Sequence, residues 1–181
     1  MAIWTGPCAA YSPSIGPMAD GLLPEAAPAG AATTLTDPQA VVEAFLAALA
    51  NGDVDTAKAL LDDDVEYVNV GLPAIRGREQ MDKVAGFFER PEIGFEVYLH
   101  AISADGPTVL TERTDVLLVK RMRVQFWVCG RFDVHDGKIT LWRDAFDYVD
   151  VLRGTVRGLV GLVRPDLEPK APGDLRAAPG R

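Results

Sequence analysis

TVLTERTDVLLV, residues 108–119, is the stretch on which the reading of this chain turns. It has the length and apolar character of a strand, yet Arg113 and Asp115 sit in its middle. A second run, ITLWRDAF at residues 139–146, repeats the pattern with Asp144. Burying an ionised carboxylate without a partner is very costly, and even a paired one gains little. An arginine and two carboxylates kept on such strands therefore point to a polar site within an apolar cavity.

Working outward, further strands are expected at 95–101, 123–134 and 138–148, with the opening one at 108–119. Ala104-Asp105-Gly106 and His135-Asp136-Gly137 are turn signals between neighbouring runs. Sequential hairpins of this kind imply an antiparallel sheet. On the N-terminal side, Asp37 caps a helix that has Pro38 at its first position, and Val41, Phe45, Leu46 and Leu49 recur at helical spacing. Asn51-Gly52 ends that helix, and 54–61 reads as a second one. VEYVNVG, residues 65–71, alternates like a strand. Residues 78–90 form a third helix, apolar at Met81, Val84, Ala85 and Phe88. A last helix is expected over 149–163, with the mouth of the pocket as its place. Strands grouped after helices, with no βαβ alternation and no repeat, predict an α+β architecture with helices on one face of the sheet.

Composition narrows the function classes. The chain has 181 residues, 48% hydrophobic and 24% charged, as a single globular domain with a sizeable core requires. A net charge of -8 and the lack of a basic run argue against nucleic acid and anionic membrane surfaces. The expected last helix is too short and too charged to span a bilayer. Two distant cysteines, Cys8 and Cys129, make a disulfide framework a poor reading and a cytoplasmic setting the default. Residues 1–36 contain no Lys or Arg and are rich in Ala, Pro and Gly, so they read as a disordered tail rather than a signal peptide. Met18 is an alternative start within it. Residues 166–181 read as a second polar, proline-broken tail, which leaves the folded domain at 37–165.

Alternation along the strands sharpens the site. Side chains at i and i+2 share a face, so Arg113 and Asp115 point together, Asp144 joins Trp142 and Phe146, and Tyr67 joins Asn69. A single Arg-x-Asp is usually an exposed pair on a half-solvated sheet. Three such sets flanked by bulky apolar residues favour a site. Only three serines occur, Ser12, Ser14 and Ser103, and no G-x-S-x-G elbow is present. Two histidines, His100 and His135, are too few for a metal site unless carboxylates join them. His100 reads as a satisfied structural histidine and Cys129 as a buried, inert thiol. No glycine loop cradles phosphate. Proton transfer between carboxylates is the chemistry that remains, with neither metal nor cofactor expected.

Taken together, VEYVNVGLPAIRG, ADGPTVLTERTDVL and DGKITLWRDAFD resemble the limonene-1,2-epoxide hydrolase family, particularly its mycobacterial-type members. The three segments fall in the right order and spacing over roughly residues 38–165. The resemblance implies a cone-shaped fold like that of nuclear transport factor 2 and ketosteroid isomerase, a curved mixed β-sheet wrapped by helices. It implies an Asp–Arg–Asp triad at Asp115, Arg113 and Asp144, with Tyr67 and Asn69 positioning a water. Asp144 would be the base, Asp115 the acid, and Arg113 the grip on both carboxylates. It also implies a homodimer formed through the sheet.

An apolar pocket is expected around these groups, lined by Leu72, Val84, Phe88, Leu117, Trp127 and Phe146. Such a pocket suits a hydrophobic epoxide of terpene, fatty-acyl or sterol type. Two other readings stay open at this point. An isomerase or cyclase of the same fold would also use pocket carboxylates, and a catalytically silent binder of apolar molecules would need only the cavity.

Overall fold

The computed structural model describes residues 36–164 and 166. The readings of both tails and of Met18, together with Cys8, Ser12 and Ser14, therefore lie outside the described residues. Helices α1 (Pro38–Ala50) and α2 (Val54–Ala59) open the domain. Each starts where an aspartate can cap it: Asp37 accepts from Ala40 N and Asp53 from Thr56 N, both at 3.0 Å. Strand β1 (Leu61–Asn69), the two-residue β2 (Ile75–Arg76) and helix α3 (Arg78–Phe88) follow. Strands β3 (Ile93–Asp105), β4 (Thr108–Val119), β5 (Met122–His135) and β6 (Lys138–Ala145) then form a meander, and α4 (Tyr148–Val163) closes the chain.

Sheet order is β2-β1-β6-β5-β4-β3. Neighbours pair antiparallel except β1 with β6, which run parallel. The curved sheet is thus mixed, and the parallel pair sets Tyr67 beside Trp142 and Asn69 beside Asp144. Gly106-Pro107, one residue on from the expected signal, and Asp136-Gly137 are the two-residue turns that close their hairpins, and Asp136 and Gly137 both take positive φ, as a turn of primed type needs. Side chains of α1 pack on the inner face of the sheet. Val41, Val42, Phe45 and Leu46 meet Val65, Val109, Phe132, Ile139 and Trp142 in the buried core, with the Phe45 ring edge-on to Trp142 at 5.0 Å.

Several bounds differ from those expected. The second helix stops at Ala59, and Leu61 already opens β1, with a register shift between Leu61 and Glu66. β3 extends beyond both expected ends, because its pairing with β4 holds from Ile93 to Asp105. β6 ends at Ala145 rather than at Tyr148, since Asp147 accepts from Val149 N at 2.8 Å and starts α4 there. β2 was not anticipated.

α4, expected at the mouth of the pocket, packs on β5. β6 pairs only with the second half of β5, from Cys129 onward, so the first half has one edge without a strand. α4 runs along that edge. A Cβ at Gly154 would fall 2.6 Å from the Gln125 carbonyl oxygen, and one at Gly158 would fall 2.3 Å from that of Arg123. The two glycines let the helix approach the strand backbone directly. No helix among the described residues is long and apolar enough to cross a membrane.

Candidate active site

On the inner face, β4 presents Thr111, Arg113 and Asp115 at alternate positions, and the register aligns them with Gly130, Val128 and Phe126 of β5. Gly130 in turn faces Asp144 of β6, and Asp144 faces Asn69 of β1. Four of the five buried polar side chains among the described residues fall in this one row: Thr111, Arg113, Asp115 and Asp144. Arg113 is only 1% exposed.

The guanidinium is bonded on all three nitrogens. Nε donates to Oδ1 and Oδ2 of Asp115 at 3.0 and 3.2 Å, Nη1 donates to Thr111 Oγ1 at 3.1 Å, and Nη2 lies 2.7 Å from Oδ2 of Asp144. Its plane also sits over the Phe132 ring, 5.9 Å from the centroid. Gly130 makes room for it, because a Cβ there would stand 2.2 Å from Nη1. Trp142 Nε1 donates to the same Oδ2 of Asp144 at 2.9 Å. Oδ1 of Asp144 is buried and has no hydrogen-bond partner. Beside it on β1, the Tyr67 hydroxyl and the Asn69 carboxamide bond each other, with Nδ2 2.9 Å from Oη.

Burial decides the protonation chemistry of the cluster. Desolvation pushes the Asp115 carboxyl up to about 6; Arg113 opposes the shift and Asp144 adds to it. Asp144 is also raised by desolvation, against the pull of Arg113 and the hydrogen bond from Trp142. Burial, with the nearby Asp144 charge, raises Tyr67 and keeps its phenol protonated. One arginine between two carboxylates leaves a net negative charge, and both shifts favour a single shared proton that neutralises it. Such a pair titrates as a unit.

The expected pocket residues divide. Leu117 and Phe146 share the inward parity of Asp115 and Asp144, and Phe146 packs on Phe126 with centroids 5.6 Å apart. Val84 and Phe88 line a small apolar cavity between the helices and Trp142, completed by Phe45, Leu49 and Met81. Trp127 belongs to the other face of β5: it is 46% exposed, and its indole donates to Glu112 at 3.2 Å. Leu72 lies in the turn after β1 and is 53% exposed. Cys129 shares the outward parity of Trp127 and is exposed rather than buried. His100, also exposed, bonds Thr114 Oγ1 at 2.8 Å. Sequence reasoning missed Thr111, Phe126 and Gly130, and it missed the polar role of Trp142. Parity alone would have signalled Thr111, two positions before Arg113.

Residues 36–157 match the model of the limonene-1,2-epoxide hydrolase catalytic domain. The chain belongs to the limonene-1,2-epoxide hydrolase family. Epoxide hydrolase EphG of Mycobacterium tuberculosis is 55% identical over 129 residues, 70% of this chain and 85% of the relative. A solved M. tuberculosis LEH-like epoxide hydrolase matches with a TM-score of 0.69 at 51% identity, over 74% of this chain and 95% of that one. More distantly, an NTF2-like protein of unknown function from Cytophaga hutchinsonii shares the fold, with a TM-score of 0.53 at 17% identity over 64% and 95% of the two chains. Membership of the limonene-1,2-epoxide hydrolase family makes this chain an enzyme of the epoxide hydrolase type, on a nuclear transport factor 2-like α+β fold.

Proposed function

We propose that the enzyme adds water to a hydrophobic epoxide in one step, giving a vicinal diol by general acid–base catalysis at Asp144, Arg113 and Asp115. The observation that carries this reading is the buried, unpartnered Oδ1 of Asp144, set beside Tyr67 and Asn69. A water held by the phenol and the carboxamide can pass its proton to that oxygen while it attacks an epoxide carbon. Asp115, whose affinity for a proton is raised, protonates the oxygen as the C–O bond breaks. Arg113 stays charged and holds both carboxylates in line. Positioned acid and base groups each supply about 10²–10⁴-fold, and a pre-placed water adds to that. Leu117, Phe126, Val128 and Phe146 on the inward face support an apolar substrate, of terpene, fatty-acyl or sterol type.

Single turnover in isotope-labelled water tests the mechanism. Label is expected in the diol from the first turnover, whereas label entering an aspartate of the protein first would mean a covalent ester and sink the one-step reading. Asp144→Asn and Asp115→Asn are each expected to fold and to lose turnover on the order of 10²–10⁴-fold. Arg113→Lys should be nearly as damaging, because an ammonium lacks the fork. A homodimer belongs to the same proposal; the resemblance puts its contact on the sheet, and a long row of exposed apolar side chains on α4 supports a contact that takes in this helix as well.

A further inference from the structure

We infer that Trp142 is a positioning residue for the reaction: with Arg113 it occupies Oδ2 of Asp144, leaving Oδ1 as the oxygen that takes the proton from water. The inference rests on the reading of Asp144 as the base and names what orients that base.

The two oxygens of Asp144 have unequal surroundings. Oδ2 receives Arg113 Nη2 at 2.7 Å and Trp142 Nε1 at 2.9 Å, while Oδ1 receives nothing. A carboxylate held by one donor can pivot about its Cβ–Cγ bond. Two donors arriving at one oxygen from different residues pin both the plane and the identity of the free oxygen. The donor is itself pinned. Phe45 meets the indole edge-on at 5.0 Å, Tyr67 lies against it at 4.2 Å and Phe132 stacks at 6.3 Å. Trp142 is buried, and it stands two residues before Asp144 on one strand, so both side chains share a face. A core tryptophan needs some partner for its N–H. Here that partner is the carboxylate whose other oxygen is the only unbonded side-chain acceptor of the cluster. The ring that orients the base also braces Tyr67, so one side chain sets the angle between the water holder and the proton acceptor.

The groups facing Asp144 are Arg113 and Asp115 from β4, Tyr67 and Asn69 from β1, and Trp142 from its own strand; β5 contributes Gly130, which has no side chain to titrate. Taking away the indole donor therefore changes one contact and leaves the charges untouched.

The test replaces Trp142 with Phe and, by codon suppression, with benzothienylalanine, which keeps the bicyclic shape but has sulfur in place of N–H. Both variants are expected to lose kcat by roughly 10-fold or more, the scale of one hydrogen bond to a charged group, with KM within about twofold of wild type. The acid limb of the kcat/KM profile should move to higher pH, because the carboxylate loses a donor that favours its ionised form. A normal profile and kcat in the benzothienyl protein would overturn the inference, as would a raised KM with unchanged kcat, which marks a mere pocket wall. Carbon-13 titration of the Asp144 carboxyl reads the same contact without turnover: an Asp144 that titrates alike in wild type and both variants overturns the inference. Turnover retained by Asp144→Asn instead removes the base, and the proposed mechanism with it, whatever that titration shows.

Discussion

A methyl group at Gly130 would stand 2.2 Å from Nη1 of Arg113 and 2.5 Å from Oγ1 of Thr111. With all three guanidinium nitrogens already bonded, the arginine has no free rotamer into which to retreat. Gly130→Ala is therefore expected to keep its far-ultraviolet spectrum while turnover drops on the order of 100-fold, the cost of an ångström-scale misplacement. A wild-type rate would show that the guanidinium has slack. Asp115 offers a test through stability. Its carboxyl is raised from 3.8 to about 6 in the folded protein, so the folded state binds the proton more tightly than the unfolded one. Its favourable contribution is complete below pH 3.8 and is lost as pH rises to about 6. Across that window the loss is on the order of 3 kcal/mol. Asparagine imitates the protonated form, so the Tm of Asp115→Asn minus that of wild type should grow between pH 4 and 6 and then level. A difference that is flat with pH would show that Asp115 is not held near 6.

Among the elements, α4 is the one whose glycines take on a new meaning in the structure. Its glycines first look like weaknesses, since each costs a helix about 1 kcal/mol relative to alanine. Against β5 they are what brings the helix to the strand edge. Propensity alone predicts that Gly158→Ala stabilises. The 2.3 Å approach to the Arg123 carbonyl predicts the reverse, because overpacking against backbone costs about 1–3 kcal/mol. A fall in the thermal midpoint by several degrees is expected, and a rise would show that α4 is free to shift. The expectation that Trp127 lines the pocket fails for a related cause. Val124, Phe126 and Val128 alternate with Trp127 and Cys129, so both faces look apolar and the period of two cannot say which faces inward. β4 and β6 were legible because charge broke their symmetry: Arg113, Asp115 and Asp144 had to share a face with their partners. β2, with two residues, is too short to leave a period at all. The acidic run Asp62–Asp64 hid the first half of β1, since three carboxylates in a row, half-buried at Asp62 and exposed at Asp63 and Asp64, carry no alternation of burial.

For the molecule as a whole, the surface of α4 is the feature that a lone domain leaves unexplained. Leu152 is 63% exposed and Val163 80%, with Val149, Val156, Leu159 and Val160 beside them. Paired copies would cover this row. Light scattering of the full chain should give the mass of two chains, and Leu152→Asp with Val156→Asp should shift it to one. A wild-type monomer, or a dimer indifferent to both changes, would move the contact elsewhere or remove it. The mixed topology could be expected only from the family resemblance, since a pairing that joins the first strand to the last leaves no local trace in the sequence. That parallel pair has a consequence for synthesis. A chain leaving the ribosome exposes Tyr67 and Asn69 early, and Arg113 with Asp115 later, long before Asp144 arrives to complete the charge set. Until then Nη2 of Arg113 lacks the acceptor that Asp144 gives it in the finished domain, and a charged donor left unpaired in a dry interior is costly. β6 supplies at once the parallel partner of β1 and the acceptor for that donor, so closure of the sheet and assembly of the proposed site are one event.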